Sequence, residues 1–235
     1  MKKLLFLIII SCFFSCSKKV DEKTGAEVEY TKAHQALMEK DYTKAAESFE
    51  KIDDNYPFSK WAAKAQAMAL YARYKNHENE KMLQIIDDFL HLNPNSEYVP
   101  YMLYMRGLSY YEQIPDIKRA QNHTQEASFT FRELIARFPL SNYAGDAKEK
   151  LDFIDEHLAG YKMEVGRYNL NQANYVGAFN NFTEVMERYR SSKQVPESLF
   201  RLNEIYSKLG LKDEANKIKN ELQQRFPESY WAKHP

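Results

Sequence analysis

Six histidines, two cysteines and two pairs of adjacent aspartates are the residues of this chain whose types could do chemistry. His34, His77, His91, His123, His157 and His234 never fall three or four residues apart, the spacing that sets two imidazoles on one helical face for zinc. Asp53-Asp54 and Asp87-Asp88 are direct neighbours, and neighbours on a helix point apart, so neither forms a facing acid–base pair. Gly107-Leu108-Ser109-Tyr110-Tyr111 begins like a nucleophile elbow but lacks its closing glycine. These histidines and acids are expected on a solvated surface. The chain is expected to be no enzyme, with no catalytic residues, no metal and no cofactor.

The cysteines point to a different chemistry. Lys2 and Lys3 precede an apolar run over 4–14, broken only by Ser11 and Cys12. That run is too short for a hydrocarbon core, which needs roughly 20 residues, and has the length of a signal-peptide core. Phe13-Phe14-Ser15-Cys16 resembles the bacterial lipobox, where a peptidase cuts before a cysteine that is then acylated. Phe13 stands where leucine is usual, and Cys12, after Ile9-Ile10-Ser11, is a rival with a very short apolar core. The expected organisation is a signal peptide over 1–15, an acylated Cys16 with a tether over 16–26, and a folded domain over 27–235. One cysteine then remains, which excludes an intramolecular disulfide. Acyl chains would anchor the chain at about 0.8 kcal/mol per buried CH₂. Ser17 follows the cysteine, where inner-membrane lipoproteins usually keep aspartate; the outer membrane, on its periplasmic face, is the expected location.

Composition narrows the partners. Lys+Arg and Asp+Glu both number 33, so no net field exists to hold nucleic acid. Hydrophobic residues make up 44%, enough for a packed core. Seven glycines are few for 235 residues and favour helices.

The elements that must position any site come from a repeat. Tyr56-Pro57-Phe58-Ser59, Phe138-Pro139-Leu140-Ser141 and Phe226-Pro227-Glu228-Ser229 share one pattern, with weaker copies at Asn93-Pro94-Asn95-Ser96 and Tyr189-Arg190-Ser191-Ser192. Upstream, Ala45, Phe49 and Pro57 are spaced by four and eight, as are Ala127, Phe131 and Pro139, and Ala178, Phe182 and Arg190. Met82, Ile86 and Pro94 keep the phase, while Ala215, Lys219 and Pro227 keep only its ends. A small and a large residue four apart share a helical face. Proline then stops the helix, and the serine can cap the next one. Helix pairs are predicted over 26–40 with 42–55, 59–75 with 79–92, 96–113 with 116–137, 160–171 with 175–189, and 193–209 with 212–225. Pro115 should open its helix, Gly210 should make the last tight turn, and an additional helix fills 142–158. The pattern resembles the tetratricopeptide repeat, which implies an all-α superhelix of about five pairs plus that additional helix.

Local strings go further. Asn55-Tyr56-Pro57-Phe58-Ser59, Tyr71-Ala72-Arg73-Tyr74-Lys75-Asn76 and Tyr104-Met105-Arg106-Gly107-Leu108 follow in order. After the lipobox, they resemble the BamD-type lipoproteins of the outer-membrane β-barrel assembly machinery. The resemblance implies an adaptor whose first repeats receive unfolded barrel precursors and whose last repeats dock the BamA subunit. Matching strings make Tyr56, Phe58, Tyr71, Tyr74, Lys75, Asn76, Met105 and Arg106 the precursor-contact residues. Glu187, Arg188 and Arg190 are the corresponding partner-subunit residues, although Arg190 replaces a usual proline. Read from the residues alone, Tyr71 and Tyr74 suit either a peptide surface or the inter-repeat core. Tyr98, Tyr101 and Tyr104, with Met102 and Met105, read as a core-and-rim stripe. Arg106 suits either a carboxylate ligand or an internal salt bridge. A lipid-anchored scaffold organising peptidoglycan-related proteins fits the same array and anchor.

Overall fold

The computed structural model describes residues 25–234; Cys12, Cys16, the leader and most of the tether lie outside them. The described residues form helices α1 (Gly25–Met38), α2 (Tyr42–Asn55), α3 (Ala62–Lys75), α4 (Asn79–Leu92), α5 (Val99–Tyr111) and α6 (Asn122–Arg137). They continue with α7 (Ala144–Asn171), α8 (Tyr175–Arg188), α9 (Val195–Lys208), α10 (Lys212–Arg225) and the short α11 (Tyr230–Lys233). No strand occurs among the described residues. The fold is all-α, with consecutive helices packed as antiparallel pairs.

The repeat pattern holds in the core. Ala45, Phe49, Met82, Ile86, Ala127, Phe131, Ala178 and Phe182 are all fully buried, so the assigned phase is the packing phase. The first helices of neighbouring pairs also touch directly, α3 with α5 and α5 with α7, forming one wall of the array.

Each inter-pair turn is built alike. Tyr56 N donates to Ile52 O at 2.9 Å and Ser59 N to Tyr56 O at 3.0 Å; the equivalent bonds recur around Pro94, Pro139, Arg190 and Pro227. Proline loses nothing there, because the N–H groups that close the turn flank its position. Arg190 adopts the same turn without it.

The serines depart from expectation. Ser59 Oγ accepts from Trp61 N at 3.3 Å and Ser192 Oγ from Gln194 N at 3.0 Å. Their helices start three residues after the serine, so these hydroxyls stabilise the turn. Ser229 alone caps as expected, accepting from Ala232 N at 3.2 Å ahead of α11.

Two boundaries are corrected. The helices predicted over 142–158 and 160–171 are one, the 28-residue α7. No proline or cap interrupts it, and Gly160 is a close-approach site: a Cβ there would strike Ile117 Cδ1. Glycine costs about 1 kcal/mol in a helix, which this contact offsets. Pro115 does not open α6, which begins at Asn122. The segment before it is a loop tied by buried Gln121, whose Nε2 donates to Asp116 O at 3.0 Å and Arg119 O at 2.8 Å. Gly210 makes its tight turn with φ +77°.

Candidate functional site

The first-helix wall opens into a cleft of about 370 Å³ between α3, α5 and the start of α7. Ala67, Met68 and Tyr71 line one side, and Tyr98, Tyr101 and Tyr143 the other. Its rings are fixed by one another. Tyr143 lies 5.7 Å from Tyr101 and stacks on Tyr104 at 5.1 Å between centroids. Tyr104 Oη donates to Asp146 Oδ2 at 2.7 Å, and Lys150 Nζ donates to Asp146 Oδ1 at 2.8 Å. Nearby, Tyr74 Oη donates to Glu112 Oε1 at 2.6 Å.

These partners set the electrostatics. The hydrogen bond to the Glu112 carboxylate, then burial, pushes the Tyr74 phenol up to about 12. Burial raises Tyr101, and burial followed by the bond to Asp146 raises Tyr104. For Asp146, burial pushes upward, but the donors Lys150 and Tyr104 outweigh it and hold the carboxyl below its usual range. All three phenols therefore stay neutral near pH 7 and present rings with polar edges.

The structure brings some predicted residues together and separates others. Tyr71 lines the cleft, with the Lys75 ammonium 5.9 Å from its ring centroid. Asn76 ends α3, donating from Nδ2 to Thr43 Oγ1 at 3.2 Å and to Glu78. Arg106 takes its internal option, an ion pair with Asp87. Met105 is a correction: it is 4% exposed, because α5 is packed on both flanks and the methionines of its stripe face inward. Tyr56 and Phe58 lie roughly 14 Å along α3 from Tyr71, on the α2–α3 turn. There Tyr56 Oη donates to Glu29 Oε1 at 3.4 Å, and Phe58 is fully exposed.

Tyr143 is not among the residues expected at the site, yet its place in the repeat marks it. Four residues after each turn's anchor stand Trp61, Tyr98, Tyr143, Gln194 and Trp231, aromatic in four of the five repeats.

A second cleft, of about 510 Å³, opens between α8 and α9. Val176, Phe179, Ile205, Tyr206 and Leu209 line it, with Phe179 edge-on to Tyr206 at 5.6 Å. Val176 is 73% exposed and Leu209 53%. The loop beneath is defined: Asn174 Oδ1 caps α8 by accepting from Gly177 N at 3.1 Å. Glu187, Arg188 and Arg190 are at the other end of α8 and outside this cleft. Arg188 pairs with Glu184 at 3.6 Å, and Arg190 Nε donates to Glu187 O at 3.0 Å.

Among the described residues, no three His, Cys, Asp or Glu side chains are grouped to hold a metal ion, and no helix is long and apolar enough to cross a membrane. His157 departs from the expected solvated set: it is half-buried and stacks on Phe153 at 5.9 Å.

The model of the family described as YfiO, outer membrane lipoprotein, matches residues 22–222. The chain belongs to that family. The match spans both clefts and ends before α11. Among relatives, the outer membrane protein assembly factor BamD of Rickettsia prowazekii (strain Madrid E) is 36% identical over 83% of this chain and 78% of its own length. The BamD of Caulobacter vibrioides is 31% identical over 90% of this chain and 70% of its own length. That of Neisseria meningitidis serogroup A is 29% identical, covering 100% of this chain and 95% of its own length. A solved structure of Pseudomonas aeruginosa PilF is 15% identical with a TM-score of 0.42, covering 88% of this chain and 95% of that one.

Proposed function

We propose that this chain is an adaptor subunit of an outer-membrane β-barrel protein assembly complex, acting by binding rather than by catalysis. It is acylated at Cys16, sits on the periplasmic face, receives unfolded barrel precursors at the tyrosine cleft and docks a BamA-type barrel subunit through its last repeats. The observation that carries this reading is the fixed tyrosine cleft on the first-helix wall of a chain in this family. Tyrosine offers apolar area and a hydroxyl at a low entropy cost, which suits segments that share aromatic character but not sequence. With no strand among the described residues, edge pairing has no template, so precursor side chains must supply the contact. The α8–α9 cleft supports the docking half, because Val176 and Leu209 form an exposed apolar site of the kind partners cover. Glu187, Arg188 and Arg190 remain a separate polar site for the same partner.

The test is binding of a labelled peptide carrying the aromatic-ended terminal strand of a barrel precursor to the full chain. Tyr71→Ala should weaken it about tenfold, the loss expected of an interface aromatic, with little change in Tm. Undiminished binding would sink the precursor half. A pull-down from solubilised envelope that recovered only cell-wall enzymes would sink the adaptor reading.

A further inference from the structure

Chain direction alternates helix by helix, so the α2–α3, α4–α5 and α6–α7 turns share one edge of the array. Each presents a large apolar side chain to solvent: Phe58 at 102% exposure, Leu92 at 68% and Leu140 at 96%. Phe58 and Leu140 follow Pro57 and Pro139, so they sit at the tips of rigid turns with no packing partner to gain. Along the opposite edge of the same three pairs stand Lys40, Asp41, His77 and Glu78, with Met38 as its exposed large apolar side chain.

The N-terminus fixes which edge faces the anchor. Gly25 begins α1 against the α2–α3 turn, where a Cβ would lie 2.7 Å from Tyr56 Oη. Cys16 stands nine residues earlier, a chain length that spans at most about 30 Å. An acyl group on Cys16 therefore holds this edge within one short tether of the lipid.

We propose that this edge rests on the membrane surface, with Phe58, Leu92 and Leu140 entering the lipid interface. The inference rests on the reading that Cys16 is acylated. Apolar burial supplies the attraction, since the charges flanking the turns, Asp54, Lys60, Glu97 and Arg137, are of both signs. The contact sets the orientation of the tethered array, with the α8–α9 cleft, lined by Ala173, Val176 and Leu209, at the opposite helix ends.

The experiment uses the full acylated chain in phosphatidylethanolamine–phosphatidylglycerol vesicles containing nitroxide-labelled lipid. Phe58→Cys, Leu140→Cys and His77→Cys each carry a fluorophore at an exposed site. Cys16→Ala is the unanchored control. Strong nitroxide quenching at 58 and 140 but not at 77, unchanged by high salt, is expected. Vesicle-bound chain with quenching no stronger at 58 and 140 than at 77 overturns the proposal and leaves the anchor standing. Full chain that partitions no better than Cys16→Ala overturns the anchor itself, and this orientation with it.

Discussion

The tyrosine cleft and the α8–α9 cleft are both lined by aromatic rings, yet they treat polarity in opposite ways. Behind the first, the hydroxyls of Tyr74 and Tyr104 are committed to Glu112 and Asp146, and Tyr104 stacks on the lining Tyr143, so the scaffold holds the rings before any ligand arrives. In the second, exposed Val176 and Leu209 lead, beside Phe179 and Tyr206. Prepaid ring placement suits many transient clients. An open aliphatic patch suits one partner that stays. On the proposed reading, the same repeat would serve two kinds of binding, according to what stands at the end of each helix pair.

The largest effects should come from the core beneath each cleft. Phe131→Asp and Phe182→Asp each bury an unpaired charge at a fully buried site and should cost upwards of about 4 kcal/mol. Because repeats contact mainly their neighbours, hydrogen exchange should show protection lost first around α5–α6 for the former and α7–α8 for the latter. Uniform loss in both would erase the distinction between the two regions.

Smaller, and matched, are two glycine changes. A Cβ on Gly107 would lie 2.5 Å from Phe131 Cε1, and one on Gly166 would lie 2.5 Å from Phe182 Cε1. Gly107→Ala and Gly166→Ala should each destabilise by about 1–3 kcal/mol, read as a lower denaturant midpoint.

Alkali should separate the regions further. Tyr74 has a raised folded pKa, about 12, against about 10 unfolded. Its contribution to stability is full below pH 10 and is lost as pH rises toward 12. Ultraviolet phenolate titration should show late-ionising tyrosines, one fewer of them in Tyr74→Phe, with the α3–α5 contact loosening over the same window. Titration of every tyrosine near pH 10 would deny the Glu112 bond.

Least disruptive to the fold are Val176→Ser and Leu209→Ser. Stability should move by less than about 0.5 kcal/mol, as for exposed sites, while co-purification of the partner subunit should fall. Unchanged co-purification would shift docking to Glu187, Arg188 and Arg190.

Much of this architecture is readable from residue spacing, because Ala45–Phe49 and its copies state which face is buried, and the prolines state where helices stop. The tertiary partner decides the rest. Gly160 looks like a break until Ile117 is seen against it, and Met105, a contact residue by resemblance, takes the core side of its stripe because both flanks of α5 are covered. The cleft is half legible: Tyr71, Tyr98 and Tyr101 stand out in the sequence, whereas Tyr143 joins them when α7 folds back beside α5.

The two-ended account is tested most directly by site-specific photo-cross-linking in the intact envelope, with the reactive group placed in turn at Tyr71 and at Val176. Unfolded barrel precursors should be captured from position 71 and a large barrel subunit from position 176. The same product from both positions, or precursors from 176 alone, would contradict it.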